Sequence, residues 1–122
     1  MGEKKIAEQF TGRDLVDHCT STLNIRPTML AALLNVTERT LANWNECPYN
    51  GDYPVKFERL RTFDRILSRA EAKRIDYKIF LNLLNEPIPG DEDERTLLHY
   101  IVDEPTNPLL NAAADSVIEL FK

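Results

Sequence analysis

Residues 27–46, PTMLAALLNVTERTLANWNE, limit the fold of this chain more than any other stretch, because they predict two short helices joined by a tight turn. Pro27 stands where a first-turn proline is tolerated, since its N–H would have had no partner. Apolar side chains after it form a helical face about two turns long: Leu30, Ala31, Leu33 and Leu34. Thr37 is a favourable N-cap for a second helix, on which Leu41 and Trp44 fall on one side. The two helices are therefore expected to share one small core.

The turn between the two helices has its own sequence requirements. Asn35 occupies it, and Asn carries the smallest penalty after Gly where the backbone needs a positive φ. Ala31 precedes the turn by four residues, and its small side chain lets the second helix approach closely. The known helix-turn-helix pattern has this spacing, here formed by Ala31, Asn35, Val36, Thr37, Leu41 and Trp44. A small helical hairpin with a Leu and Trp core is the alternative interpretation.

The function of such a motif depends on the side chains that the second helix turns outward: Glu38, Arg39, Ala42, Asn43 and Glu46. Arg39 and Asn43 lie one turn apart, and these two residue types read guanine and adenine edges bidentately in the major groove. Ala42 would allow close approach between them. We predict a DNA contact by Thr37, Glu38, Arg39, Thr40 and Asn43. A solvated helix face on which Glu and Arg pair is the other interpretation.

Charge is spread unevenly along the 122 residues, whose formal net charge is −5. Residues 1–80 contain 13 Lys and Arg and 11 Asp and Glu, whereas residues 81–122 contain 2 and 9, a net charge of −7. The overall acidity argues against a protein that binds any nucleic acid non-specifically. The length suffices for one domain with a modest core, or for a very small domain with a helical appendage.

Several classes of protein are not favoured. Cys19 and Cys47 are too few for a disulfide scaffold, and the start lacks an apolar signal segment, which favours the cytoplasm. The longest apolar run, residues 29–34, is far too short to span a membrane. His18 beside Cys19 matches no zinc spacing, and no phosphate loop or nucleophile motif is present. We therefore expect no enzyme activity, no metal and no cofactor.

The chain around the motif is also expected to be helical. Leu15, Cys19 and Leu23 recur every four residues and mark a helix before the motif. Residues 47–54, CPYNGDYP, mark a loop. Its Tyr49, Asn50 and Tyr53 either touch the DNA backbone or pack on their neighbours.

A long helix is predicted after this loop, with an apolar seam formed by Phe57, Leu60, Phe63, Leu67 and Ala70. It is expected to break near Arg74. Beside the seam runs a basic stripe, Arg61, Arg65, Arg69 and Lys73. The stripe predicts weak phosphate contacts, or else a mixed-charge solvated face formed with neighbouring carboxylates. The chain thus divides into a DNA-binding unit with lead-in and loop, residues 1–54, and a helical dimerisation and partner-binding region, residues 55–122.

Two short helices are expected at the C-terminal end, after the break NEPIPGDEDER. Asn107 is a fitting N-cap and Pro108 a first-turn proline for the last helix, whose predicted apolar face extends to Leu120 and Phe121. We predict weak partner binding through the apolar side chains Leu97, Leu98, Ile101, Leu110, Val117 and Phe121. The alternative is that these helices complete the core of a small protein.

Three pieces of the sequence resemble the Xre/MbcA/ParS-like antitoxins of bacterial toxin–antitoxin systems. LAALLNVTERTLANW is similar to the family's helix-turn-helix, in which an Arg-Thr-Leu and a Trp mark the recognition helix, here Arg39, Thr40, Leu41 and Trp44. FERLRTFDRILSRAE looks like the family's long helix after the DNA-binding unit, and FLNLLNEPIPG resembles the start of its toxin-binding segment in outline. The resemblance implies an antitoxin that neutralises a RES-domain toxin acting on NAD, with Phe121 close to the toxin's active site.

These observations together predict an all-α protein with an N-terminal helix-turn-helix three-helix unit, followed by a long helix and two short C-terminal helices. The predicted function is that of a DNA-binding transcriptional autorepressor and antitoxin. We expect a homodimer on a double-stranded DNA operator, because two-fold pairing doubles the few base contacts of one helix-turn-helix. A helical adaptor that never binds DNA and a phage or plasmid repressor without a toxin partner are the alternatives.

Overall fold

The computed structural model of the protein describes residues 11–47 and 54–121. They form seven α-helices and one 3-10 helix, in this order: α1 Gly12–Leu23, α2 Pro27–Leu33, α3 Glu38–Asn43, the 3-10 helix Trp44–Glu46, α4 Phe57–Ala72, α5 Tyr77–Leu83, α6 Leu97–Asp103 and α7 Leu110–Leu120. The predicted all-α class is confirmed. None of the described helices combines the length and the apolarity that crossing a membrane requires.

The chain consists of two compact units, Met1–Arg61 (unit 1) and Thr62–Lys122 (unit 2). The division falls inside α4, whereas the functional regions predicted from the sequence, 1–54 and 55–122, meet at the loop before it. Each unit has its own buried apolar side chains, and each is described separately below.

In unit 1, α1 begins and ends with favourable local geometry. Asp14 accepts a hydrogen bond from the backbone N–H of Thr11 at 2.8 Å, which places a carboxylate at the positive end of the helix. At the other end Asn24 adopts a positive φ of 55°, and its N–H donates to the carbonyl of Thr20. The predicted apolar face of α1 is confirmed, because Leu15, Cys19 and Leu23 are all buried.

The turn between α2 and α3 has the backbone geometry that the sequence predicts. Asn35 adopts a positive φ of 56°. The N–H of Val36 reaches back to the carbonyl of Ala31 at 3.0 Å, and Ala31 is buried. Thr37 caps α3, since its side-chain oxygen accepts a hydrogen bond from the N–H of Thr40 at 3.0 Å.

The core of unit 1 is centred on Trp44, which is 2% exposed. Its ring meets that of Phe57 edge to face, with ring centroids 5.8 Å apart. The N–H of Gly12 donates to the carbonyl of Cys47 at 2.8 Å, which holds the start of α1 against the end of the 3-10 helix. A side chain at position 12 would meet the backbone carbonyl of Trp44, so this close approach requires a glycine.

In unit 2, the predicted break near Arg74 is confirmed. The long helix α4 ends at Ala72, and Arg74 adopts a positive φ of 59° while the N–H of Ile75 donates back to the carbonyl of Ala70. The chain then restarts as α5, whose first turn is capped by the carboxylate of Asp76. Phe80 of α5 meets Phe63 of α4 edge to face, with ring centroids 5.8 Å apart.

The last helix differs in detail from the sequence prediction. Helix α7 begins at Leu110 rather than beside Asn107, whose side-chain oxygen instead accepts a hydrogen bond from the N–H of Leu109 in the preceding turn. The buried face consists of Leu110, Ala114, Val117 and Ile118. Leu120, expected on this face, is 59% exposed. At 100° per residue it lies about a quarter turn from the centre of the buried face, so that expectation was wrong.

We predict that Gly12→Ala lowers the free energy of unfolding by about 2 kcal/mol or more, because the added methyl group overlaps backbone atoms that cannot rotate away. The measurement is urea unfolding followed by far-UV circular dichroism. Arg13→Ala, at the next and exposed position of α1, is the control and should change stability little. Equal midpoints for the two variants would contradict the close approach of Gly12 to Trp44.

Candidate nucleic-acid interface

Helix α3 is fixed in unit 1 by its buried side. Leu41 and Trp44 are each 2% exposed, and Thr37 caps the N-terminal end of the helix. A helix of six residues is too short to be stable alone, so these contacts determine its position. The opposite side is therefore presented to solvent in a defined orientation.

The five residues expected to face outward are all exposed: Glu38, Arg39, Ala42, Asn43 and Glu46. Glu38 accepts a hydrogen bond from the hydroxyl of Thr28 at 2.8 Å, which links the start of α3 to the start of α2. Within the described part of the chain, Arg39 and Asn43 form no hydrogen bond or ion pair with another side chain. Glu38 thus pairs with Thr28 rather than with Arg39. The side chains of Arg39 and Asn43 remain available to contact bases. Of the remaining predicted DNA-contact residues, Thr37 is exposed and Thr40 is half-buried.

A shallow cleft of about 730 Å³ lies beside this face, between α3 and α1. Arg39 and Ala42 contribute from α3, and Arg13 and Asp17 from α1. Arg13 is exposed and adds a second cation next to the outward face of α3. Arg13 could not be predicted as part of this face, because nothing in the spacing of α1 indicates which polar residues face α3.

The turn that sets the angle between α2 and α3 is held by Arg59 of α4. Its guanidinium Nη1 donates to the carbonyl of Leu34 at 3.0 Å and to that of Asn35 at 3.2 Å. Carbonyls at the end of a helix lack partners within the helix and form the negative end of its dipole. A cation there is therefore favoured both as a hydrogen-bond donor and by its charge. The role of Arg59 could not be predicted from local sequence patterns, since Arg59 lies 24 residues beyond Asn35 and outside the basic stripe.

The basic stripe is largely engaged within the protein. Arg61 pairs with Glu58 at 2.7 Å, inside unit 1. In unit 2, Arg65 donates to the side-chain oxygen of Asn111 at 3.1 Å, and Arg69 forms two hydrogen bonds with Asp115, at 2.9 and 2.6 Å. The remaining member, Lys73, is exposed.

The Arg69 pair has a measurable electrostatic consequence. The hydrogen bonds and charge of Arg69, with a smaller attraction from Lys73, lower the pKa of Asp115 below its ordinary value. These contacts correspond to the mixed-charge alternative for the stripe. Phosphate binding by these residues stays a prediction, for which Lys73 is the most accessible member.

The six apolar residues assigned to partner binding fall into two groups. Leu97, Ile101, Leu110 and Val117 are fully or almost fully buried inside the described chain. Leu98 and Phe121 are half-buried. Burial of the first group follows from helices too short to fold alone, which bury one face to become stable. A partner could reach only the second group in this fold.

Two further expectations concern particular residues. The predicted backbone contacts of Tyr49, Asn50 and Tyr53 lie outside the described residues. Cys19, one of the residues whose spacing marks α1, is fully buried.

No protein-family model, curated protein or solved structure was found to match this chain. The all-α class is therefore what the structure defines, and membership of an antitoxin family stays a prediction.

We predict that Arg59→Met lowers the free energy of unfolding by about 1 to 2 kcal/mol, because two carbonyls at the turn lose a charged donor while the aliphatic stem is kept. Arg59→Lys should fall between this variant and the wild type, since one ammonium replaces part of the donor geometry. The measurement is urea unfolding.

Lys56→Met is the matched control, since the Lys56 side chain is exposed and forms no hydrogen bond or ion pair within the described residues. If Arg59→Met unfolded at the same urea concentration as Lys56→Met, the proposed role of Arg59 at the turn would be refuted.

Proposed function

We propose that this protein is a transcriptional repressor that binds double-stranded DNA through the outward face of α3. The observation that carries the proposal is the pair Arg39 and Asn43, exposed one turn apart and without side-chain partners in the described residues. These side chains can form the bidentate contacts that distinguish guanine and adenine in the major groove. An anchored helix with a free polar face is what base reading requires.

The surroundings of the pair support the same proposal. Ala42 leaves room between the two side chains, and the link between Glu38 and Thr28 occupies one nearby carboxylate. Arg13, across the cleft, offers a cation for a phosphate group. Because one such helix reads few base pairs, we propose a homodimer whose two-fold symmetry matches a palindromic operator.

We predict that Arg39→Ala and Asn43→Ala each weaken operator binding by about 1 to 3 kcal/mol, the amount expected for the loss of a bidentate base contact. The probe is the DNA segment upstream of the protein's own gene, titrated at fixed salt and followed by fluorescence anisotropy. Circular dichroism spectra should not change, because both side chains are exposed.

The double variant Lys78→Ala, Asn82→Ala is the matched control. These two residues have the same types of charge and amide, the same spacing of four, and exposed positions on α5. Wild-type affinity in the Arg39→Ala, Asn43→Ala double variant would favour the adaptor that never binds DNA.

We propose further, from the family resemblance, that the repressor is the antitoxin of a toxin–antitoxin pair and binds a RES-domain toxin. The net charge of −7 over residues 81–122 supports a protein partner for this part of the chain, since such a surface repels DNA and attracts a basic protein. Among the predicted partner-binding residues, Phe121 and Leu98 are the ones that such a partner could reach.

We predict that the protein co-purifies with the product of the adjacent gene, and that Phe121→Asp reduces the co-purified amount because it places a charge in an apolar contact. Ile79→Asp, at an exposed apolar position of α5, is the control. Failure of the two proteins to co-purify would favour the phage or plasmid repressor without a toxin.

A further inference from the structure

Unit 2 contains a cleft of about 460 Å³ between the loop that joins α5 to α6 and the start of α7. Ile88 and Pro89 line it from the loop, and Leu110 and Ala113 from α7. Leu109, which also lines the cleft, is 72% exposed. The volume lies in the range of ordinary ligand sites, and Leu109 leaves its apolar surface largely uncovered within the described chain.

The loop forms a fixed wall of this cleft. The N–H of Ile88 donates to the carbonyl of Arg95 at 2.9 Å, which closes the loop at its base. The hydroxyl of Tyr100 donates to a carboxylate oxygen of Asp91 at 2.7 Å, and this bond is the largest cause that lowers the pKa of Asp91. The guanidinium of Arg95 lies over the ring of Tyr100, 4.8 Å from its centre. A wall held by these contacts is formed before any ligand arrives.

The charge of the wall is negative. Arg95 is shared among three carboxylates, with distances of 3.3 Å to Asp91, 3.6 Å to Asp93 and 3.8 Å to Glu104. It is therefore not available to an anionic ligand. Glu92 also lines the cleft, is exposed, and forms no ion pair or hydrogen bond within the described residues. A cation entering the cleft would meet Glu92 and the weakly paired Asp93.

A metal ion does not account for this arrangement. Among the described residues, the carboxylates of this loop do not bring three ligand oxygens together. Calcium requires six or more oxygen ligands, and Asp91 already accepts from Tyr100, Arg95 and a backbone N–H. Negative charge beside apolar surface fits an organic cation better than a metal ion.

We propose that this cleft binds a peptide segment of a partner protein in which a Lys or Arg lies next to a large apolar side chain. The cation would pair with Glu92 and Asp93, and the apolar side chain would cover Leu109, which is exposed. Lys and Arg suit such a place because their aliphatic stems pack on apolar surface while their charge reaches a carboxylate. The exposed Leu109 favours a peptide over a small cation, since a small molecule would leave it uncovered.

This inference rests on the proposal that unit 2 binds a protein partner, but not on that partner being a toxin and not on DNA binding. The residues it uses differ from Leu98 and Phe121. An affinity selection with short random peptides displayed on phage, carried out on the full chain, tests it without an identified partner. The enriched peptides are then synthesised and titrated by fluorescence polarisation.

The expected result is enrichment of peptides with Lys or Arg within a few residues of Leu, Ile, Phe or Trp. Glu92→Lys and Leu109→Glu should each weaken their binding about tenfold or more, since a repulsive charge replaces an attractive contact. Binding should also weaken as salt is raised. Glu86→Lys and Leu120→Glu are matched controls, because both residues are exposed in unit 2 and neither lines the cleft.

Enrichment of peptides without a cation, or no enrichment, would overturn the proposal. So would tight binding that survives Glu92→Lys or Leu109→Glu in variants whose circular dichroism matches the wild type. The outcome of this test distinguishes the proposal from the others. If peptides bind but the adjacent gene's product does not co-purify, only the proposal of a toxin partner is contradicted. Peptide binding by the Arg39→Ala, Asn43→Ala variant is expected to equal that of the wild type.

Discussion

The geometry of unit 1 depends on the burial of Trp44 at the end of α3. Its indole is packed against Phe57, and the backbone around its carbonyl contacts Gly12 so closely that no side chain fits there. Because α3 has only six residues, its orientation comes from this anchor and from Leu41 rather than from its own helical stability. The free face with Arg39 and Asn43 is a direct consequence, since the anchor decides which side chains remain in solvent.

The two units use their charged residues differently. In unit 1, Arg59 supports a turn, while Arg39 and Arg13 remain on the surface beside α3. In unit 2, Arg69 of α4 is neutralised by Asp115 of α7, and Arg95 is shared by three carboxylates. Part of the acidity of the C-terminal third therefore balances cations inside the same unit. The carboxylates without such partners, Glu92 among them, mark where the remaining negative potential lies.

The sequence predicted those features that local physics determines. The apolar spacing located the helices, and Thr37 was recognisable as the N-cap of α3. Asn35 stood where the turn needs a positive φ. A break was expected near Arg74, and Arg74 adopts a positive φ of 59° there. These inferences needed only residues within one or two turns of each other.

The features that were missed or misplaced depend on distant residues. Arg69 meets Asp115 across 46 positions, and Arg59 meets Asn35 across 24, and no local pattern signals such pairs. Leu120 was placed on the buried face of α7 because it is apolar, although at 100° per residue it lies about a quarter turn from the centre of the face formed by Leu110, Ala114, Val117 and Ile118. Apolar residues of short helices were assigned to a partner when the unit itself buries Leu97, Ile101 and Val117.

The single tryptophan of the sequence has a spectroscopic consequence. Light that excites indole but not phenol reports on Trp44 alone, and so on unit 1. Tyr77 and Tyr100 belong to unit 2 and would be seen only at shorter wavelengths. Emission of a buried indole shifts to the red when water reaches it, so the protein carries its own indicator of whether unit 1 is intact. Any ligand that loosens or tightens α3 acts within about two helical turns of that indicator.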